Sequence, residues 1–150
     1  MCGIAGIFNL DAEPASPNII KKMTDSIAHR GPDGEGHYTD GPLALGHRRL
    51  AIIDLSPAGN QPMISKNNQI VLSYNGEIYN FKELRMELER LGYQFQSQTD
   101  TEVVLNSWVE WGEECVHRFN GMFAFSVWDK KNKTLFLVRD RYGIKPIYYA

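Results

Sequence analysis

The chain is predicted to fold as an α+β domain of layered sheets and helices, because strand-type alternation at both ends brackets helix-period stretches in the middle. A second observation keeps this to one domain: 150 residues carry no internal repeat, low-complexity tract or linker. A third is composition. At 43% hydrophobic and 23% charged residues, the chain is ordinary for a globular protein with a real core.

The elements follow in order. Gly3 to Asn9 alternate small and bulky residues, as a buried strand does. Pro14 to Pro17 mark a loop, and Ser16-Pro17 reads as N-cap and first helical position. Ile19, Ile20, Met23 and Ile27 then form one apolar helix face. Gly31-Pro32-Asp33-Gly34 ends that helix and turns the chain. Strands are predicted at His37–Thr39, Leu43–His47 and Leu50–Asp54. A polar loop with Pro57, Gly59 and Pro62 leads to a strand from Gln69 to Tyr74, which Asn75-Gly76 breaks. Asn80-Phe81-Lys82-Glu83 resembles a helix start with a capping acid, and Phe81, Leu84, Leu88 and Leu91 keep helical spacing until Gly92. Thr99 to Glu102 open another helix, with Val104, Trp108 and Trp111 on one side and Gly112 as terminator. Alternation returns from Met122 to Trp128, placing Phe123, Phe125 and Val127 on one face. Asp129 to Lys133 turn into a strand over Thr134–Val138. Arg139 to Pro146 form a long turn, and Ile147-Tyr148-Tyr149 starts a further strand.

Charge and cysteine usage remove several function classes. A formal net charge of −2 makes no electrostatic case for nucleic acid or an anionic membrane. No apolar run is long enough to span a bilayer, and Met1 to Gly6 lack a positive signal-peptide region, so the expected setting is cytoplasmic. Cys2 and Cys115 make a poor disulfide framework and read as reduced thiols. His29, His37, His47 and His117 have no zinc-like spacing with them, so no metal site is expected.

The most informative residue is Cys2. Removal of Met1 would leave a thiol of reference pKa about 8.5 beside an α-amine near ~8 on one residue. With the values so close, the amine can take the thiol proton directly or through one water. Retention of Met1 would lock that amine in a peptide bond. Read alone, Cys2 is more simply a small residue opening a buried strand.

The run Met1 to Phe8 (MCGIAGIF) resembles the opening of class II glutamine amidotransferases, the N-terminal-cysteine family. Further segments match in the same order: His29–Asp33 (HRGPD), Gly46–Asp54 (GHRRLAIID), Tyr74–Asn80 (YNGEIYN), Gly121–Phe125 (GMFAF) and Arg139–Pro146 (RDRYGIKP). Together they are similar to the asparagine-synthetase branch and cover essentially the whole chain. This resemblance implies the four-layer αββα sandwich of N-terminal-nucleophile hydrolases. It implies glutaminase chemistry on L-glutamine, with Cys2 as nucleophile and the Asn75 amide and Gly76 N–H as oxyanion donors. Arg49 matches the arginine that grips the substrate carboxylate, and the backbone of Leu50, Ala51, Ile52 and Ile53 lines the same pocket, their side chains being otherwise core. Asp100 matches the acid that receives the substrate ammonium, with Glu77 close by. A helix N-terminus at Asp100 is expected to keep its carboxylate ionised. Each residue has a plainer reading as well: a tight Asn-Gly turn, a solvated arginine like Arg48, a helix cap at Asp100. His47 is expected to be structural, Cys115 inert, and Trp108, Trp111 and Trp128 core.

Members of that family continue past the Lys145–Tyr149 region into closing strands and an ATP-dependent domain. By that measure the chain reads as C-terminally truncated, without the synthetase domain. No cofactor is expected in this domain; ATP and Mg would belong to the missing one, which is the expected partner, with a homodimer as a candidate assembly. Three functions compete: the glutaminase domain of an asparagine synthetase, an amidotransferase feeding another acceptor such as a sugar carboxylate in polysaccharide synthesis, and a non-catalytic glutamine-binding or assembly module.

Overall fold

A computed structural model describes residues 1–150. Seven strands form two antiparallel sheets. The first has the order β1 (Gly3–Phe8), β3 (Leu43–Arg49), β2 (Gly34–Asp40). The second runs β4 (Met63–Ile64), β5 (Ile70–Ile78), β6 (Gly121–Asp129), β7 (Thr134–Arg139). Helix α1 (Pro17–Ser26) covers the outer face of the first sheet. Helices α2 (Phe81–Arg90) and α3 (Asp100–Trp111) pack on each other, with α3 against the second sheet. The order of layers is therefore α, β, β, α, as the family resemblance implies.

Three apolar clusters fill the three interlayer spaces. Ala15, Ile20 and Ala44 lie under α1. Leu43, Leu45, Val71 and Trp128 lie between the sheets. The largest cluster joins Leu72, Tyr74, Phe123, Phe125 and Val127 to Leu84, Leu88, Val104 and Trp108. Strand β5 thus sends Leu72 and Tyr74 toward the helices and Val71 toward the other sheet, the two-residue period of a pleated strand. Trp128 ties the sheets together at the end remote from Cys2. Its indole N–H donates to Asp40 Oδ2 at 2.8 Å, and its ring lies 5.7 Å from that of Phe8.

Several boundaries depart from the sequence reading. Leu50–Asp54 is an irregular loop, not a strand. Both edges of β3 are already taken by β1 and β2, and the loop's polar groups pair with side chains instead. The Ala51 N–H donates to Asp33, and Asp54 accepts the Ser56 and Gln98 N–H groups at 2.8 Å each. The expected core role of the Ile52 and Ile53 side chains also fails: they are 73% and 44% exposed. Asn75-Gly76 does not break its strand. β5 continues to Ile78 because β6 pairs with it along the whole length, Asn75 opposite Ala124 and Gly76 opposite Phe123.

Helix α1 buries Ile20 and Thr24, while Ile19 and Met23 face outward. Neither Ser16 nor Asn80 caps its helix through the side chain. Asn80 instead bridges Arg118 O and the Asn120 N–H. Leu91 is exposed beyond the end of α2. Thr99 is the working cap of α3, accepting the Glu102 N–H at 3.3 Å, with Asp100 as the first helical residue. Residues 147–149 are not a strand, and Tyr148 and Tyr149 are exposed.

Trp128→Ala should cost about 3–5 kcal/mol of stability. Urea unfolding followed by a helix signal checks this, since the lost side chain anchors the intersheet core and not the helices.

Candidate active site

A cleft of about 160 Å³ opens at the end of the sandwich where β1 begins and β3 ends. That is well below the several hundred Å³ of a pocket for a drug-sized ligand and suits a single small metabolite. Cys2, Arg49, the Leu50–Asp54 loop, Asn75, Gly76, Glu77 and Asp100 all line it. Every site residue expected from the sequence is therefore brought to one place.

Cys2 precedes β1, whose register puts Gly3 opposite Arg48. The backbone N–H of Leu50 donates to its Sγ at 3.4 Å, and the Sγ lies 3.7 Å from Leu50 O. Arg30 Nε donates to the Cys2 carbonyl at 3.2 Å, holding the N-terminal segment in place. Met1 is 55% exposed and also lines the cleft.

The free edge of β5 creates the next feature. β4 pairs with β5 only at Val71 and Leu72, so beyond Leu72 the edge away from β6 has no strand neighbour. N–H groups two residues apart point to the same edge. The Tyr74 N–H donates there to Gln61 Oε1 at 2.6 Å, and the Ile78 N–H to Asp100 Oδ2 at 3.0 Å. The Gly76 N–H lies between them on that edge, at the cleft. A side chain at Gly76 would be stopped from behind, since a Cβ would meet Met122 O at 2.5 Å.

Arg49 is 7% exposed, and its guanidinium is fixed by the loop that follows it. Nη1 donates to Ser56 O at 2.7 Å and to Asn60 Oδ1 at 3.0 Å, and Nη2 donates to Asp54 O. Gly59 makes room for it, since a Cβ there would lie 2.3 Å from Nη2. Asp54 carries this loop: the Gln98 N–H, then Ser56, hold its carboxyl down at about 2.

Burial outweighs the hydrogen bonds of Asp100 and raises its carboxyl above the ordinary value, despite its place at a helix N-terminus. A cation delivered to the cleft would offset that burial. Glu77 is exposed at the rim.

His47 is fully buried between the sheets and donates from Nε2 to Tyr74 O at 3.1 Å. Burial, against the help of that carbonyl, pushes it down to about 4, so it is a neutral structural residue. Cys115 is buried, and burial pushes its thiol up to about 12. Arg48 pairs with Asp25 and Glu35 outside the cleft.

Several cleft residues were not legible in the sequence. Gln61 and Thr101 bond to each other at 3.3 Å in the wall, and Tyr74 reaches Asp100. Lys145 is 3% exposed, lines the cleft, and directs Nζ to the Met1 sulfur. The Arg139–Pro146 segment is what brings it there. Asp140 accepts the Phe123, Tyr142, Ile144 and Lys145 N–H groups, folding the turn back onto β6. Only the segment's motif-like character pointed to it beforehand.

Two stacked sheets between helices, with a cysteine before the first strand lining a cleft at their end, form an αββα layered sandwich. A solved structure of glutamine phosphoribosylpyrophosphate amidotransferase from B. subtilis, complexed with ADP and GMP, shares this fold: TM-score 0.75 and 22% identity over 93% of this chain and 37% of that one. The profile of the glutamine amidotransferase domain matches residues 1–150, and the chain belongs to that family. It is 43% identical to glutamine-hydrolyzing asparagine synthetase 3 of Bacillus subtilis, over 100% of this chain and 25% of that protein. It is 42% identical to the putative glutamine-hydrolyzing asparagine synthetase 2 of Methanocaldococcus jannaschii, over 99% of this chain and 32% of that protein. The chain thus spans a quarter to a third of the length of these relatives.

His47 sets a pH dependence. The unfolded histidine binds a proton below about pH 6.5 while the folded one resists until about 4. Its contribution is complete above pH 6.5 and is lost as pH falls toward 4, by about 3 kcal/mol. Urea unfolding of wild type and His47→Asn across this window should show a shallower slope in the variant.

Proposed function

We propose that the domain hydrolyses L-glutamine to glutamate and ammonia through Cys2, with Met1 removed. The observation that carries this reading is the meeting of a sulfur, two unspent donors and a pair of opposite charges in one small cleft. The Cys2 α-amine takes the thiol proton and the thiolate attacks the γ-carbonyl. The Asn75 amide and the free Gly76 N–H receive the developing oxyanion; neither titrates, so both donate at any working pH. The α-ammonium returns the proton to the leaving nitrogen, ammonia departs, and water hydrolyses the γ-glutamyl thioester.

Recognition of a free amino acid needs a cation and an anion. Arg49 retains donors on Nε and Nη2 beyond those its loop uses and offers them to the α-carboxylate. Asp100, supported by Glu77 at the rim, takes the α-ammonium. Leu50, Ala51, Ile52 and Ile53 contribute backbone to the wall next to Cys2.

The proposal extends to a longer chain in which this domain supplies ammonia to an ATP-dependent synthetase domain that amidates aspartate. The names of the relatives favour that acceptor over a sugar carboxylate. In this reading ATP and Mg are held by that further domain. A cytoplasmic setting and a homodimer belong to the same reading. No helix is long and apolar enough to cross a membrane.

Intact-mass analysis after treatment with an electrophilic glutamine analogue tests the chemistry. The expected result is loss of Met1 and a single adduct on Cys2, and an unlabelled protein that keeps its methionine overturns the proposal. Cys2→Ala should lower ammonia release by about a thousand-fold or more. Asp100→Asn and Arg49→Lys should each raise KM about ten- to a hundred-fold with a smaller change in kcat, measured by ammonia release against glutamine concentration.

A further inference from the structure

We infer that the Tyr74 hydroxyl is a positioning group for amino-acid recognition: by engaging Oδ2 of Asp100 it leaves Oδ1 as the acceptor for a substrate α-ammonium. The inference rests on the glutamine reading above and adds to it the residue that sets the geometry of the anionic anchor.

Tyr74 is 2% exposed, on the face of β5 that packs against the helices. Its ring sits among aromatic neighbours, 6.5 Å between centroids from Phe125. A phenylalanine would satisfy that packing, so the hydroxyl needs a separate account. A buried hydroxyl without a partner is costly. Here it donates to Asp100 Oδ2 at 2.6 Å, within the range of a charge-assisted O–H···O⁻ bond. The Ile78 N–H donates to the same oxygen at 3.0 Å.

Two donors approaching one oxygen from different positions on β5 fix the carboxylate plane. The backbone N–H groups of Asp100 and Thr101 at the start of α3 also stabilise the carboxylate, no further side chain donates to Oδ1, and Asp100 lines the cleft. Burial, with Asp100 beside it, raises the phenol well above its ordinary value, so it stays a donor throughout the working pH range. Tyr74 itself also borders the cleft. The arrangement presents one oriented oxygen, suited to an ammonium, where a freely rotating carboxylate would present either.

The test compares Tyr74→Phe with wild type in processed protein. Glutamine kinetics are measured alongside the inhibition constant of 4-carbamoylbutanoate, which is glutamine without its α-ammonium. The expected outcome is a KM for glutamine about ten-fold higher, with kcat within about two-fold. The inhibition constant of the analogue should stay unchanged, because it offers Asp100 nothing to bind. Equal losses for both ligands, or an unchanged KM, would show a purely structural tyrosine and overturn the inference.

If the variant does not fold, wild-type protein labelled with ¹³C at the tyrosine ζ carbon provides the second measurement. Glutamine should shift the Tyr74 resonance at saturation and the analogue should not, while identical shifts from both overturn the inference. A wild-type protein that releases no ammonia from glutamine overturns the underlying reading, and this inference with it.

Discussion

The cleft depends on one asymmetry in strand pairing. β5 keeps β6 as a neighbour along its whole length but loses β4 after Leu72. A strand edge without a partner presents a row of N–H groups that must bond to something. Gln61 takes the one from Tyr74 and Asp100 the one from Ile78, which leaves Gly76 facing the ligand space. The continuous pairing with β6 makes that exposed edge rigid. A feature that would be an aggregation liability on a free sheet edge is confined here to one N–H, because a loop and a helix cover its flanks.

The charged anchors follow from the same economy of backbone bonding. The Leu50–Ser56 segment has no strand neighbour to pair with, so its carbonyls are free to hold the Arg49 guanidinium, and Asp54 clasps the segment to the start of α3 through Gln98. Asp100 opens α3 on the other side of the cleft, buried deeply enough that its carboxyl is destabilised when no cation is present. Preorganised charges that are poorly solvated in the empty site gain most from a ligand of opposite charge. In the proposed function an amino acid, with both signs a few ångströms apart, would relieve both costs together.

Separation of structural from functional groups is also visible in the layers. The remote end of the sandwich is apolar, closed by Trp128, Leu43 and Leu45. Toward Cys2 the intersheet space becomes polar, with His47, Ser73 and Arg49 buried in succession. His47 is kept neutral by its surroundings and bonds to Tyr74 O, so it supports the strand that carries the cleft instead of competing as a base.

Much of this was readable from residue order. Alternation and helical spacing placed six of the seven strands and all three helices, missing only the two-residue β4, and the Cys2, Arg49, Asn75-Gly76 and Asp100 set lines one cleft as expected. Local pattern failed where a neighbour decides the outcome. Asn-Gly reads as a turn, yet β6 pairs straight through it; Ile52 and Ile53 read as core strand, yet they lie in an irregular loop after β3 with their side chains exposed. Asp100 reads as a helix-cap acid, and the burial that raises its carboxyl is a property of the packed layers. Tyr74 and Lys145 entered the cleft only through contacts 26 and 144 residues away in sequence, with Asp100 and Met1. Sequence by itself determined which chemical groups are available and the periodicity of the elements that carry them. Tertiary structure alone decided which edges are left unpaired and which charges lose water, because both depend on neighbours that the linear order does not specify.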